Sequence, residues 1–421
     1  MTDHALCSTV LSAPKIAIIG GGLTGLLTAT LLERASNQSS SSSNTPQITI
    51  FEKSRSVGRL ATRYRSDSET DKNWQWSFGA QFFTAKTADF QQFIAPWLDT
   101  GMLQPWCAEV VELTPADDNE QSSNIQSKEQ WDAVHARYIS TPKMTSWGRE
   151  LAAVLKHTTI VFKTRVAPLA QYLQSHNQQQ SQNQTHNQTF NQTFNQTFNQ
   201  TFNQTFNQTF NQNSKQTELF DETGASLGWF DWVICTAPNG QAIELMSDSG
   251  FAQQDKITKP RMQACYTLML GWDDVQKLPE TLKGQLTPQW DVAYLNSVIL
   301  DRIFIEHQKP AHDELLPSVT IHARNDWSEA HVDDDIELVK EQLLQAAKQA
   351  LNWNEASAPS QTDCHRWRYA ATIVNKDTEE LGILIDATKQ WIVSGDWCAK
   401  GNIESCYRMA QQTVKAIMQT Q

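Results

Sequence analysis

The stretch KIAIIGGGLTGLLTATLL, residues 15–32, decides the fold. Lys15 to Ile19 is a short, largely apolar run rich in isoleucine, of the kind that forms a strand buried on both faces. Gly20, Gly22 and Gly25 then satisfy the pattern G-x-G-x-x-G between that strand and a helix, whose apolar positions Leu23, Leu26, Leu27 and Leu31 recur at steps of three and four. In this context the first glycine permits the tight turn, the second lets the backbone approach a pyrophosphate, and the third lets helix and strand pack closely. The helix start, at Leu23 and Thr24, turns unpaired N–H groups and the positive end of the helix dipole toward the phosphates.

Working outward, Ile48 to Phe51 reads as a second parallel strand closed by Glu52, so that strand, helix and strand make a βαβ unit. The Glu52 carboxylate is placed to accept hydrogen bonds from an adenosine ribose, with Lys53 directly after it. Its distance from Gly25 exceeds the roughly 20 residues usual for this motif, and the serine-rich insertion at Ser39 to Ser43 accounts for the excess. Gly58-Arg59-Leu60 then offers a guanidinium whose planar fork can reach the phosphates. A simple nicotinamide-binding domain has no need of that arginine, so the expected cofactor is FAD, held non-covalently.

The opposite end of the chain supplies the complementary piece. A strand, Trp391 to Ser394, leads into Gly395-Asp396-Trp397 and a helix from about Ile403 to Met418. Asp396 at the strand end is placed to bind ribityl hydroxyls. The helix start at Ile403 is placed to face the flavin N1 and C2 carbonyl, where the negative charge of a reduced ring gathers. Alone the tripeptide is an ordinary turn with a capping carboxylate; it gains meaning from the N-terminal motif.

Composition narrows the remaining classes. A chain of 421 residues has room for two domains, or one large domain with an inserted lobe. The net charge of −12 argues against nucleic acid or an anionic membrane as partner. Seven scattered cysteines with no C-x-x-C pair suit a reducing compartment and offer no metal site. No apolar run approaches about 18 residues and no signal-peptide pattern opens the sequence, so a cytoplasmic protein that does not span a membrane is expected.

From Gln178 to Asn213 the composition collapses to a few polar residue types and phenylalanine, with Asn-Gln-Thr-Phe repeated without variation from Asn187 to Phe210. A period of four fits neither a helix face nor a structural repeat, and the tract has too little apolar surface to pack alone, so disorder with some tendency to β-aggregation is expected. Its Asn-Gln-Thr triplets are formal glycosylation sequons, but with no signal-peptide pattern seen they are not expected to be acceptors. Strand-like residues at Thr159 to Val166 before it, and at Glu218 to Leu219 and Trp229 to Cys235 after it, predict that it extends the tip of a hairpin. Further on, Ala264 to Trp272 reads as sheet. Asp333 to Leu351 reads as a helix with Ile336, Val339, Leu343, Leu344, Ala347 and Leu351 on one face.

Taken in order, Gly20 to Gly25, Phe51-Glu52-Lys53, Gly58-Arg59-Leu60-Ala61-Thr62-Arg63, Gly79-Ala80-Gln81-Phe82-Phe83-Thr84, His365-Arg366-Trp367-Arg368-Tyr369-Ala370 and Gly395-Asp396-Trp397 resemble the bacterial renalase-like flavoproteins, within the wider group of amine-oxidase-like FAD enzymes. The resemblance implies an α/β fold: a discontinuous Rossmann-type FAD-binding domain (residues 1–85, 150–250 and 385–421) joined to an α+β substrate domain built on a mixed sheet (residues 86–149 and 251–384). It adds Gln81 to the cofactor-binding set and Val166, through backbone contacts to the adenine, and makes Thr236-Ala237-Pro238 a turn beneath the cofactor. Two departures stand out: Val57-Gly58-Arg59 is one glycine short of the family pattern, and Ser77-Phe78 replaces Asp-His before Gly-Ala-Gln.

The activity implied is an oxidase cycle, in which hydride leaves a small substrate for flavin N5 and dioxygen is reduced to hydrogen peroxide. The substrate implied is an isomeric dihydronicotinamide, the 2- or 6-dihydro form of NAD or NADP. Two alternatives stay open: an amine oxidase, for which no single lysine declares itself, and a flavin- or nucleotide-binding protein without turnover. Trp367, Tyr369 and Trp397 are candidate pocket aromatics. His365 is a candidate base, although hydride loss from a dihydropyridine needs none.

Overall fold

The computed structural model describes residues 13–38, 45–55, 58–115, 123–170, 216–282, 290–312, 314–375 and 379–420. The tract 178–213, Ser39 to Ser43 and Val57 lie outside the described residues.

The fold is a mixed α/β architecture with a Rossmann-like half. Its six-stranded sheet has the order Thr158–Phe162, Gln47–Glu52, Lys15–Ile19, Trp232–Cys235, Trp391–Val393, Leu384–Asp386. All neighbours run parallel except the last pair. Short β-branched runs suit this position, because a parallel strand covered on both faces has no side to turn to water. Ile16, Ile18, Ile50 and Ile234 are accordingly buried.

The helix Leu23–Gln38 packs against the C-terminal helix Ile403–Met418. Leu26, Leu27 and Leu32 on the first meet a core that includes Tyr407, Ala410 and Ile417 on the second. The chain's two ends are thereby fastened in one layer. Truncating a side chain such as Leu27 would remove about 2–5 kcal/mol from that layer.

The second sheet has seven strands in the order Gln361–Thr372, Met262–Gly271, Ser318–Ala323, Leu300–Ile305, Val292–Leu295, Glu109–Thr114, Asn124–Gln130. It is mixed: only Val292–Leu295 and Glu109–Thr114 pair in parallel. One face packs on the helix Ile336–Leu351 through Val339, Leu343, Ala347 and Leu351. That helix begins three residues after the predicted Asp333, because Asp335 caps it by accepting from the amides of Glu337 and Leu338. Along Met262–Gly271 the strand alternates: Tyr266, Leu268 and Leu270 enter the core, while Cys265 and Thr267 face a cavity.

A hairpin, Thr62–Ser66 with Asn73–Ser77, anchors the joint between the halves. Its buried Trp74 and Trp76 donate their indole N–H to the carbonyls of Trp272 and Leu270 at 2.9 and 2.8 Å. Burying both rings leaves the hairpin's continuation, Phe78-Gly79-Ala80, on the cavity wall.

The hairpin expected around the low-complexity tract requires correction. Thr158–Phe162 pairs in parallel with Gln47–Glu52 at the edge of the first sheet, and it stops at Phe162 because Lys163 takes a left-handed backbone (φ 56°). Val166 is left outside the strand, with a single bridge to Asp221. The antiparallel ribbon present is Thr217–Phe220 with Ser226–Phe230, both C-terminal to the tract. Among the described residues no helix is long and apolar enough to cross a membrane.

Candidate functional site

A single cavity of about 950 Å³ runs from the glycine turn to the seven-stranded sheet. It falls within the range of cavities that hold a cofactor or a large ligand.

Its first end is built by the βαβ unit. Gly20 adopts φ +116°, and a Cβ there would lie 2.8 Å from Thr236 Oγ1, the hydroxyl that donates to the Gly20 carbonyl at 2.9 Å. Gly22 is different: a Cβ at that position meets nothing within 4 Å, since it would project into the cavity. Gly58, left-handed at φ +64°, closes on it so tightly that its own Cβ would lie 3.0 Å from Gly22 Cα. Leu23 and Thr24 line the cavity at the helix start, with Leu60 beside them.

Glu52 stands at the same end, nearly buried, and accepts from the amides of Gly21 (2.8 Å) and Ser54 (2.7 Å) with one oxygen each. Each carboxylate oxygen keeps a lone pair for a further donor. Lys53 and Val166 also line this end. Arg165 closes it, paired to Glu244 at 2.7 Å.

At the waist Arg59 Nη2 lies 2.5 Å from Asp396 Oδ1, and Nη1 donates to the Ala370 carbonyl at 3.2 Å. Burial works against the guanidinium's charge, but the attraction and hydrogen bond of Asp396 outweigh it and hold Arg59 above its ordinary value. Ile403 and Asn402 line the waist beside Asp396, where Asn402 caps the C-terminal helix through the Ser405 amide.

The far end is a wall of the second sheet. Strand register sets His365 opposite Thr267, Thr267 opposite His322, and His322 opposite Arg302. This cross-strand row of four lines the cavity. Trp367 stacks on Phe78 at 5.4 Å and donates its indole N–H to the Phe78 carbonyl at 2.8 Å, while His365 meets both rings edge-on. Tyr369 lines the cavity close to Gly240, where a Cβ would collide with the phenol. Burial first, and the Arg63 charge second, pull His365 down to about 4. Burial, then Arg302 and Lys309, pull His322 down to about 3.

Four residues singled out in the sequence do not line the cavity. Gly25 is a packing position, since its Cβ would lie 2.1 Å from the Gly20 carbonyl oxygen. Gly395 has extended backbone, and a Cβ on it would strike the Trp397 ring. Trp397 is buried, donating to the Ala237 carbonyl at 2.9 Å. Gln81 is buried behind the wall, with its amide oxygen accepting from Lys309 Nζ at 2.8 Å and its amide nitrogen donating to the Ser77 carbonyl. His322, Arg302 and Asn325, which no sequence motif marks, also line the cavity. For His322 and Asn325 the sequence signal is the cluster of polar residues where the strand Ser318–Ala323 ends; Arg302, on Leu300–Ile305, has none.

A family model described as an NAD(P)-binding Rossmann-like domain matches residues 18–96. Among solved structures the chain is similar to a provisional protoporphyrinogen oxidase from Exiguobacterium sp. 255-15, with TM-score 0.62, 12% identity, and coverage of 97% of this chain and 100% of the other. It is similar also to a putrescine oxidase bound to putrescine, with TM-score 0.59, 11% identity and coverage of 97% and 99%. A third is an oxidoreductase from Methanosarcina mazei, with TM-score 0.54, 13% identity and coverage of 96% and 100%. At these identities the likeness defines a shared fold along essentially the whole chain.

Proposed function

We propose that the protein is an FAD-dependent oxidoreductase that takes a hydride from a small substrate. The observation that carries this is the continuity of one cavity from Glu52 and Gly22, past Arg59 and Asp396, to the row His365–Thr267–His322–Arg302. A nucleotide alone would need only the first end. The cavity's residues fit a dinucleotide: Gly22 leaves an opening that a Cβ would fill, Glu52 retains acceptor capacity for ribose hydroxyls, and Arg59 has N–H groups beyond the two engaged.

In this reading residues 1–85, 150–250 and 385–421 hold the cofactor and 86–149 and 251–384 the substrate. Gly20, Gly22, Leu23, Thr24 and Arg59 would hold the diphosphate, Glu52 and Lys53 the ribose, Val166 the adenine, and Asp396 with the Ile403 helix start the ring end. FAD bound there would supply the two-electron acceptor. The chain itself would exclude water from the ring end with Phe78 and Trp367 and position the substrate against the sheet row. His365 stays unprotonated at neutral pH, so it supplies no acid there.

The preferred substrate is an isomeric dihydronicotinamide. Loss of its hydride leaves the oxidised nicotinamide nucleotide, and that hydride, one proton and dioxygen balance as hydrogen peroxide. Arg302, Arg366 and Arg368 on the cavity wall favour a substrate carrying phosphate. An amine oxidase is the second reading, favoured by the stacked Phe78 and Trp367 pair, which suits an amine's apolar stem.

The test is anaerobic. Purified protein is expected to be yellow and to bleach within seconds of adding 6-dihydro-NAD, but not with ordinary NADH. Bleaching by amines alone would replace the first reading with the second, and a colourless protein that refuses reconstitution would end both.

A further inference from the structure

Behind the cavity wall lies a chain of buried polar side chains that the proposed reaction does not use. Glu306, Lys309, Gln81 and Thr320 are each at most 5% exposed. Glu306 accepts from Thr320 Oγ1 at 2.6 Å with one oxygen and from Lys309 Nζ at 2.9 Å with the other. Lys309 donates next to Gln81 Oε1 at 2.8 Å, and its ammonium sits over the Trp106 ring, 5.3 Å from the centroid.

This arrangement settles which way the Gln81 amide points. An ammonium only donates, so it must face the amide oxygen, and the amide NH2 is turned to its two remaining neighbours. Those are the Ser77 carbonyl and His322 Nε2, the latter at 3.4 Å. A donor facing Nε2 requires that nitrogen to accept, which leaves the imidazole proton on Nδ1. His322 Nδ1 has no hydrogen-bond partner among the described residues, and the ring lines the cavity.

We propose that Glu306, Lys309 and Gln81 form a buried relay that fixes His322 as the neutral Nδ1–H tautomer, so that it offers one hydrogen-bond donor to a neutral acceptor on the substrate. This deepens and rests on the reading above, and the acceptor it fits is the carbonyl of a carboxamide beside the reacting ring. His322 binds the substrate, and the three relay members are positioning residues. Burial first, then the charges of Arg302 on the neighbouring strand and Lys309 behind, oppose protonation, and Thr267 on the other neighbour carries no charge. Asp301, Cys265, His365, Arg366, Arg368 and Tyr369 are the other titratable groups of that wall, the Asp301 carboxylate being paired to Arg302 at 2.8 Å.

The test has two independent readouts. Nitrogen-15 NMR of histidine-labelled protein, without substrate, is expected to show His322 as the neutral Nδ1–H form throughout pH 6–8. Gln81→Met, or the double variant Glu306→Gln/Lys309→Met where Gln81→Met does not fold, is expected to mix in the Nε2–H form. An Nε2–H or imidazolium His322 in the parent protein, or a tautomer indifferent to both variants, overturns the relay. Separately, His322→Leu is expected to raise KM for the 6-dihydro nucleotide about tenfold, the worth of one hydrogen bond, with kcat nearly kept. If the parent protein oxidises no dihydronicotinamide while the NMR result holds, the function is wrong and the relay stands. An unchanged KM overturns the substrate role.

Discussion

Arg59 and Asp396, 337 positions apart in the chain, meet as an ion pair at 2.5 Å on the wall of the central cavity. The Asp396 side chain is 7% exposed and that of Arg59 30%, and Arg59 opens on the cavity. Each removes the other's desolvation penalty, so the loss of one strands the other. A fully buried pair broken on one side costs about 3–5 kcal/mol, and the partial exposure of Arg59 brings this nearer to about 1–3 kcal/mol.

On the proposed function, in which both residues hold the cofactor, Arg59→Ala and Asp396→Ala are each expected to weaken flavin binding roughly ten- to a hundredfold. Equilibrium titration of the apoprotein with FAD, followed by fluorescence quenching, measures it. The double variant is expected to lose less than the sum of the two. Additive losses would show that the pair does not act as a unit.

Gly22 and Gly25 lie in one motif and are expected to respond oppositely. Gly25→Ala forces a Cβ to 2.1 Å from a backbone carbonyl that cannot yield, whereas Gly22→Ala meets no protein atom within 4 Å. Gly25→Ala should lower the thermal midpoint of the apoprotein by several degrees, the consequence of about 2–3 kcal/mol of overpacking. Gly22→Ala should leave that midpoint nearly unchanged and reduce flavin content. Calorimetry before and after flavin removal separates the two effects.

That contrast marks how far the sequence could be read. Gly20 to Gly25, Glu52, Arg59 and Asp396 were recognisable because each belongs to a short local pattern at a strand end or helix start. The wall row was not, because His365, Thr267, His322 and Arg302 are brought side by side only by the register of antiparallel pairings. Nothing local to Glu306 and Lys309 says that Trp106 and Phe304 cover the lysine. Thr159 to Val166 suggests half a hairpin because strand character does not reveal a partner. The parallel pairing of the strand Thr158–Phe162 with Gln47–Glu52 is a non-local choice.

Cysteine reactivity offers a third check. Burial pushes Cys235, Cys265, Cys364 and Cys406 up to about 12 and Cys398 well above its ordinary value. Among the described cysteines Cys107 alone is exposed. Iodoacetamide at pH 8 is expected to modify Cys107 in the native protein and the other five only after unfolding, since the thiolate is the reactive form. Peptide mapping by mass spectrometry reads the result. Rapid labelling of Cys265 or Cys406 would mean that the cavity activates a thiol.

Acid stability follows from the histidines. His365 and His322 are pulled to about 4 and about 3 in the folded chain, chiefly by burial, whereas an unfolded histidine titrates near 6.5. Between those values the unfolded state binds more protons than the folded one, so stability falls as pH falls. The stabilising contribution is complete above about pH 6.5 and lost progressively toward pH 4 and below. Each histidine adds at most about 1.4 kcal/mol per pH unit to that slope. His365, being partly exposed, should contribute well under this limit. The urea midpoint is thus expected to drop between pH 7 and pH 5, and to drop less in His322→Leu than in the parent protein. An identical pH slope in that variant would show that His322 titrates normally in the fold and is open to water.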